Sequence, residues 1–298
     1  MAISLETIRS DLERLGVQSG DVLLVRANLA KLGRLGKQRH QLLQTFLDAL
    51  GPEGTLIGLT FTDNWPINKC SPEKAFHPQA PSNVGALANM FLNDPRHIRS
   101  NHPLCSFAAI GPAAEHICAD HGPDAPSYLP IRKLIDLDGK FLVAGCTTTS
   151  PGFTSVHWVQ HELGLDKRSL MVNRRGTYYR DGDEVRLFRC TEIGGCSLGF
   201  AKFYNHYLTE EKLQAGYIGN AYSLLINAAD AYRIEHRLLQ ANPRLALCDN
   251  PLCFTCRASW LFNCRDMPGF YVRKLTQKMF DLLRKRRWMP AEKMSTAK

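Results

Sequence analysis

Four cysteines, Cys248, Cys253, Cys256 and Cys264, fall within 17 residues near the carboxyl end of the chain. Their spacing of four, two and seven intervening residues supplies enough thiolates for a closed tetrahedral Zn site. The Cys253-x2-Cys256 pair is short enough for both sulfurs to reach one metal. The first three also match the spacing of plant-type 2Fe–2S ligands, although the fourth follows far sooner than in that pattern. A reduced thiol-rich loop is the alternative. A second set of residues able to do chemistry is Thr154-Ser155-Val156-His157, with Glu162 five residues on. A histidine titrates near neutral pH and can take a proton from a reacting group. A hydrogen-bonded histidine at a helix start has the same sequence appearance, so residue type alone leaves both roles open. His161, one turn later, suits a supporting or surface role, and His102 before Pro103 suits a turn.

The surrounding elements must position these groups. Leu5, Ile8, Leu12 and Leu15 mark one face of a helix, with Ser4 as N-cap and Gly16 as stop. Apolar runs at Val22–Val25, Thr55–Phe61, Ser106–Ile110 and Lys140–Ala144 read as strands. They alternate with helical stretches near 40–50, 84–92 and 113–121. Short apolar strands between helices predict an α/β fold, a central sheet covered by helices. Residues 177–188 read as an inserted β-hairpin with Asp-Gly at its turn, and 219–241 as one helix. Neither a GxGxxG nor a P-loop pattern occurs. The expected organisation is a body over 1–242, a cysteine-rich module over 243–267, and a basic amphipathic helix and tail over 268–298.

Five stretches in order carry a family resemblance over roughly residues 1–230. They are Gly20-Asp21 with Val25-Arg26-Ala27-Asn28-Leu29, then Gly54-Thr55-Leu56 with Thr60-Phe61-Thr62, then Pro81-Ser82-Asn83-Val84-Gly85. The segment Ile98 to Gly111 follows, with Arg99-Ser100, His102-Pro103, Ser106, Ala109 and Gly111 in place, and Thr154-Ser155-Val156-His157 closes the series. Together they resemble the aminoglycoside 3-N-acetyltransferase family. The resemblance implies a cytosolic α/β enzyme moving an acetyl group from acetyl-CoA to an amine of an amino sugar. It implies His157 as general base and Thr154 near the thioester oxyanion. The family's acid three residues beyond the histidine is here Gln160, so Glu162 becomes the candidate orienting carboxylate. CoA needs hydroxyl, amide and basic donors along a groove, and the matched stretches offer Asn28, Lys31, Arg99 and Ser106. Arg26-Ala27-Asn28 replaces the family's His-Ser-Ser, giving Arg26 a possible phosphate contact and Asn28 an alternative role as a helix cap. Acetyl transfer moves no electron, which puts structural Zn ahead of an Fe–S cluster at the cysteines. Cys146, the scattered thiol nearest His157 in sequence, offers a minority route through an acyl-cysteine. A catalytically weakened, metal-stabilised scaffold of the same fold is the alternative to the enzyme.

The net charge of +9 resides mostly in residues 271–298, which carry nine Lys/Arg and two acids. The other 270 residues hold 28 basic and 26 acidic side chains, close to neutral. An aminoglycoside presents several ammonium groups and calls for an acidic cleft. The family's Phe-Asp-Pro is here Phe76-His77-Pro78. A small-molecule acceptor with one amine and a phosphate or nucleotide is therefore expected. Val272, Leu275, Met279 and Leu282 give the last helix an apolar stripe, expected to lie against the body. The alternative is peripheral contact of the basic helix with an anionic membrane; nucleic acid fits less well without a recognisable module. No apolar run reaches the roughly 18 residues of a membrane span, and Met1–Gly16 lacks signal-peptide organisation. A cytoplasmic location, with peripheral contact at the inner membrane face, is the expectation.

Overall fold

Alternation along the apolar runs decides the layers. In the strand Val22–Ala27, Leu23 and Val25 enter one core cluster and Leu24 the other; in Lys140–Ala144, Leu142 and Ala144 oppose Phe141 and Val143. Successive side chains of a strand point to opposite faces, so both faces need cover. The computed structural model describes residues 3–192 and 194–287. Its strands are β1 (Val22–Ala27), β2 (Thr55–Leu59), β3 (Trp65–Pro66), β4 (Ile98–Arg99), β5 (Phe107–Ile110), β6 (Lys140–Ala144), β7 (Arg175–Asp181), β8 (Glu184–Arg189), β9 (Gln214–Ile218) and β10 (Ala221–Asn227). Seven form one sheet in the order β4-β5-β2-β1-β6-β10-β9, parallel at β2-β1-β6 and antiparallel elsewhere.

Helices Leu5–Leu15, Leu42–Leu50 and Ala86–Asn93 cover one face. Helices Ala114–Cys118, Leu129–Asp136, Ser155–Glu162 and Ala228–Ala241 cover the other. Fully buried Phe46, Phe91, Phe107 and Phe141 anchor these layers, each contributing about 1.5–3 kcal/mol by leaving water. The first helix starts and stops as expected: the Ser4 side chain accepts from the Thr7 amide at 3.0 Å, and Gly16 closes it. The hairpin also forms. Its loop is Gly182-Asp183 between the paired Asp181 and Glu184, and Gly182 supplies the positive φ of 60° that the turn demands. With β3 it makes a separate three-stranded sheet.

Two expectations are corrected. Residues 219–227 are not helical: they form a turn and β10, which pairs antiparallel with β6 in the sheet interior. Leu224, Leu225 and Ile226 are buried among both faces' clusters, and so short an apolar run has no periodicity to separate strand from helix. The helix begins only at Ala228, capped by the Asn227 side chain, which accepts from the amides of Ala229 and Asp230. The helix Met267–Arg287 forms, but its apolar stripe does not lie on the body. Val272, Leu275, Met279 and Leu282 are 62, 64, 62 and 63% exposed, and only Phe270 of its first turn is buried, edge-on to Phe254. Lys293 and Lys298 of the basic tail lie outside the described residues. Cys196 packs against Leu247, Cys248, Cys256 and Trp260 in one small apolar cluster.

Candidate active site

The parallel strands β1, β2 and β6 point their carboxyl ends the same way, and open α/β sheets bind ligands there. A cleft of about 790 Å³ lies at these ends, lined by Arg26 of β1 and Asn28 just after it, Gly58 and Leu59 of β2, and Cys146 after β6. Thr154, His157 and Phe200 close one side, and Asn83 to Ala88 the other. Gly58 is required: a Cβ there would meet the Phe91 ring at 2.6 Å.

His157 stands on the first turn of the helix Ser155–Glu162, half-buried in the cleft wall. Its ring stacks on Tyr128, with centroids 4.7 Å apart, and meets Phe200 edge-on at 5.1 Å. Its Nδ1 lies 3.0 Å from the Gln160 Oε1. An amide oxygen only accepts, so the proton is assigned to Nδ1 and the lone pair to Nε2. Burial between the two aromatic rings pushes the imidazole pKa down to about 4; the Gln160 hydrogen bond opposes this and the Arg26 charge adds to it. The ring is therefore neutral at ordinary pH, a proton acceptor from the outset.

Glu162, expected as a possible orienting carboxylate, does not serve His157. It turns to the Arg132 guanidinium at 3.7 Å and to the Tyr232 hydroxyl. Five residues along a helix is too far round to share a face, whereas three residues brings Gln160 alongside. Thr154 is buried on the cleft wall, directly before the helix, and its side chain makes no capping bond. The loop that presents it is held by Arg26, which donates to the Ser150 carbonyl at 2.7 Å and the Gly152 carbonyl at 3.0 Å. Arg26 thus braces the cleft wall. Cys146 lines the cleft, but burial raises its thiol pKa, which leaves little thiolate for an acyl-cysteine route.

The four residues expected at the cofactor fare differently. Asn28 lines the cleft and also caps the helix Leu29–Leu32 by accepting from the Ala30 amide at 3.2 Å. Lys31 is exposed on that helix and does not line the cleft. Arg99 and Ser106 are buried away from it, a correction with a clear cause. Arg99 donates to the carbonyls of Pro78, Ala80 and Thr60 and to the Ser106 hydroxyl, and Ser106 in turn donates to the Thr60 carbonyl. Desolvation lowers the Arg99 pKa to about 10. These two residues tie the 78–80 segment to the end of β2, and four of the five guanidinium N–H groups are committed there.

Other titratable groups frame the site. His102 shapes its turn, with Nδ1 accepting from the amides of Leu104 and Cys105. His161 bonds Asp166 at 2.9 Å and Glu192 at 3.1 Å, and these carboxylates raise its pKa to about 9. It is a charged brace behind the helix. Beneath the helix, fully buried Glu235 accepts from Ser155 at 2.8 Å and from Tyr207; burial pushes its pKa up to about 8. Tyr128, Phe200 and Glu235 carried no sequence signal, since their relevance depends on chain segments that meet only in space.

The cysteine cluster is rearranged. Cys248, Cys253 and Cys256 converge with Cys196, all four sulfurs within 4.8 Å of one another. Cys264 is exposed and outside the group. The Gly194-Gly195-Cys196 run gave the only hint, two glycines that allow a close approach.

A neutral histidine at the carboxyl ends of parallel strands, beside a hydroxyl and in a cleft open to a long substrate, is the equipment of a group-transfer enzyme. The chain belongs to the aminoglycoside 3-N-acetyltransferase family, whose sequence model matches residues 24–240. It is accordingly an N-acyltransferase of the acetyl-CoA:amine class, with acetyl-CoA as co-substrate. It is similar to an aminoglycoside N(3)-acetyltransferase III from Salmonella sp, 27% identical over 253 residues that cover 76% of this chain and 87% of the relative. It is also similar to an aminoglycoside N(3)-acetyltransferase IV from Salmonella sp, 33% identical over 221 residues, 72% of this chain and 79% of the relative. Among solved structures, a mutant of aminoglycoside acetyltransferase AAC(3)-IVa in complex with a gentamicin shares the fold with a TM-score of 0.75 at 24% identity, covering 88% of this chain and 98% of that one. Among the described residues, no helix is long and apolar enough to cross a membrane.

Proposed function

We propose that the cleft transfers an acetyl group from acetyl-CoA to the amine of an amino sugar, with His157 Nε2 as the general base. The carrying observation is the His157–Gln160 bond, which assigns the proton to Nδ1 and the lone pair to Nε2 of a ring that lines the cleft. The acceptor enters as the free amine, and its nitrogen attacks the thioester carbonyl. As the C–N bond forms, that nitrogen becomes cationic and strongly acidic. His157 takes its proton, although the imidazole is a weak base. The tetrahedral oxyanion needs a fixed donor, and the Thr154 hydroxyl, on the cleft wall and not used as a helix cap, is the candidate. The C–S bond then breaks, and the imidazolium, a strong acid because of its low pKa, protonates the leaving CoA thiolate. Asn28 remains the candidate polar contact for the pantetheine arm.

The described lining residues include Arg26 and Arg39 but no carboxylate. Asp63 accepts from the Asn83 amide at 2.7 Å and lines a separate pocket with Glu73. Such a lining supports an acceptor with few ammonium groups and a phosphate or nucleotide. The test is CoA release from acetyl-CoA with a panel of nucleotide-linked amino sugars and aminoglycosides, for the wild type and His157→Ala. Turnover with the former and its loss in the variant are expected. Preference for polycationic aminoglycosides would overturn the acceptor assignment. Undiminished turnover in His157→Ala would overturn the base. A protein that neither turns over acetyl-CoA nor is thermally stabilised by CoA would favour the scaffold.

The uncovered helix Met267–Arg287 supports a second element, peripheral adsorption to an anionic membrane. Its exposed Val272, Leu275 and Met279 are interleaved with Arg273, Lys274 and Lys278. Co-sedimentation with anionic but not zwitterionic vesicles is expected, and equal behaviour with both would refute it.

A further inference from the structure

We infer that Cys196, Cys248, Cys253 and Cys256 hold a structural Zn2+ that fastens the Gly194–Cys196 strap against the active-site histidine. The four sulfurs come from two distant parts of the chain and lie within 4.8 Å of one another. A tetrahedral tetrathiolate with Zn–S bonds of about 2.3 Å has its sulfurs about 3.8 Å apart, so little contraction is needed. The Cys248 amide donates to the Cys256 sulfur at 3.4 Å, a bond that favours thiolate over thiol. Two side chains tie the carbonyls of this loop. Arg257 donates to the Cys248 and Asn250 carbonyls, and Lys202 to the Leu247 carbonyl at 2.8 Å. Each also pairs with a carboxylate, Arg257 with Asp266 at 3.0 Å and Lys202 with Asp249 at 2.7 Å, so their contribution is to brace the loop.

Cys264 is exposed, and the preceding residue shows a local reason. The buried Asn263 amide donates to the Cys256 carbonyl at 2.9 Å and to Asp266 at 3.0 Å. The chain folds back there and its next side chain faces solvent. Cys196 fills the fourth corner, and the residues before it explain why the body supplies it. A Cβ on Gly195 would meet Trp260 at 2.9 Å; one on Gly194 would meet the Tyr128 hydroxyl at 2.8 Å and the His157 ring at 3.3 Å. Three consecutive residues therefore run from the histidine to the thiolates. Gly195 and Ser197 line the cleft. A metal at the cluster would fix one wall of the cleft without touching substrate. The metal assignment stands on thiol geometry; its effect on turnover rests in addition on the reading of His157, and the two are measured separately.

Full-length protein purified without chelator should contain one Zn per chain by mass spectrometry. Replacement with Co2+ should give the intense sulfur-to-metal charge-transfer and visible bands of a tetrahedral tetrathiolate. Cys264→Ser should keep both the stoichiometry and the spectrum, while Cys196→Ser should shift the Co2+ bands and weaken Zn binding by more than about tenfold. Should Cys196→Ser fail to fold, alkylation of the wild type decides: Cys196, Cys248, Cys253 and Cys256 should be protected together and released together by chelator, with Cys264 labelled throughout. A wild type without metal that also gives no Co2+ spectrum would overturn the inference, as would a bound Fe–S chromophore or a site lost in Cys264→Ser but not in Cys196→Ser. Chelation should separately lower acetyl transfer; unchanged transfer by verified metal-free protein would remove the link to the cleft and leave the metal site standing.

Discussion

The Nδ1 of His157 and the Oε1 of Gln160 lie 3.0 Å apart on one face of a two-turn helix. An amide in this place orients the imidazole as a carboxylate would, but supplies no charge to raise its basicity. The histidine consequently keeps the pKa of about 4 that burial imposes. The wild-type pH profile of kcat/KM should then show no enzyme inflection near the ordinary histidine value of about 6.5, its acid limb following deprotonation of the acceptor amine. Gln160→Glu should raise the His157 pKa by about 1–3 units, bringing an enzyme inflection up toward neutrality. NMR titration of the ring reads the same shift directly, and an unmoved ring would refute the pairing.

Arg26 is assigned to the wall and not to a CoA phosphate. Removing it in Arg26→Ala should loosen the Ser150–Gly152 loop and misplace Thr154, lowering kcat by about 10²-fold with little change in KM for acetyl-CoA. A rise in that KM at constant kcat would instead reveal a phosphate contact.

Arg99 binds three interior carbonyls and one hydroxyl while 9% exposed. Arg99→Ala would take this donor from the Pro78 and Ala80 carbonyls, costing about 1–3 kcal/mol for each one left unpaired. Thermal unfolding should fall by about 2–4 °C for each kcal/mol. A loss confined to acetyl-CoA affinity, with stability intact, would restore it to the cofactor groove.

Glu235 makes stability pH-dependent. Its folded pKa of about 8 lies above the unfolded carboxyl value, so the native state holds a proton that the unfolded chain has released. Its contribution is complete below the unfolded value of about 4.3 and declines as pH rises to about 8. Glu235→Gln keeps the neutral shape and should flatten that part of the decline. Melting curves of both proteins across this range check it; parallel curves would mean that Glu235 does not titrate there.

Local chemistry was legible wherever it was decided within one element. Ser4 and Gly16 bracket their helix, Gly182 marks the turn of its hairpin although the loop is Gly182-Asp183 and not Asp-Gly, and the run Lys140–Ala144 is a buried strand on its apolar content alone. Thr154 and His157 belong to one helix start, so their pairing needed no tertiary knowledge. The sequence could not separate β10 from the helix it feeds, because Leu224-Leu225-Ile226 is apolar under either period. Nor could it choose partners across space. Gln160 in place of Glu162 is a matter of helix phase, while Arg99 and Ser106 are consumed by carbonyls from two other segments. The cysteines show the division most sharply. Spacing brings Cys248, Cys253 and Cys256 together, since loops of a few residues can close only locally. The fourth sulfur was settled by packing: Asn263 is tied to Cys256 and Asp266 while Cys264 is exposed, and two glycines let Cys196 approach from a strap more than fifty residues away.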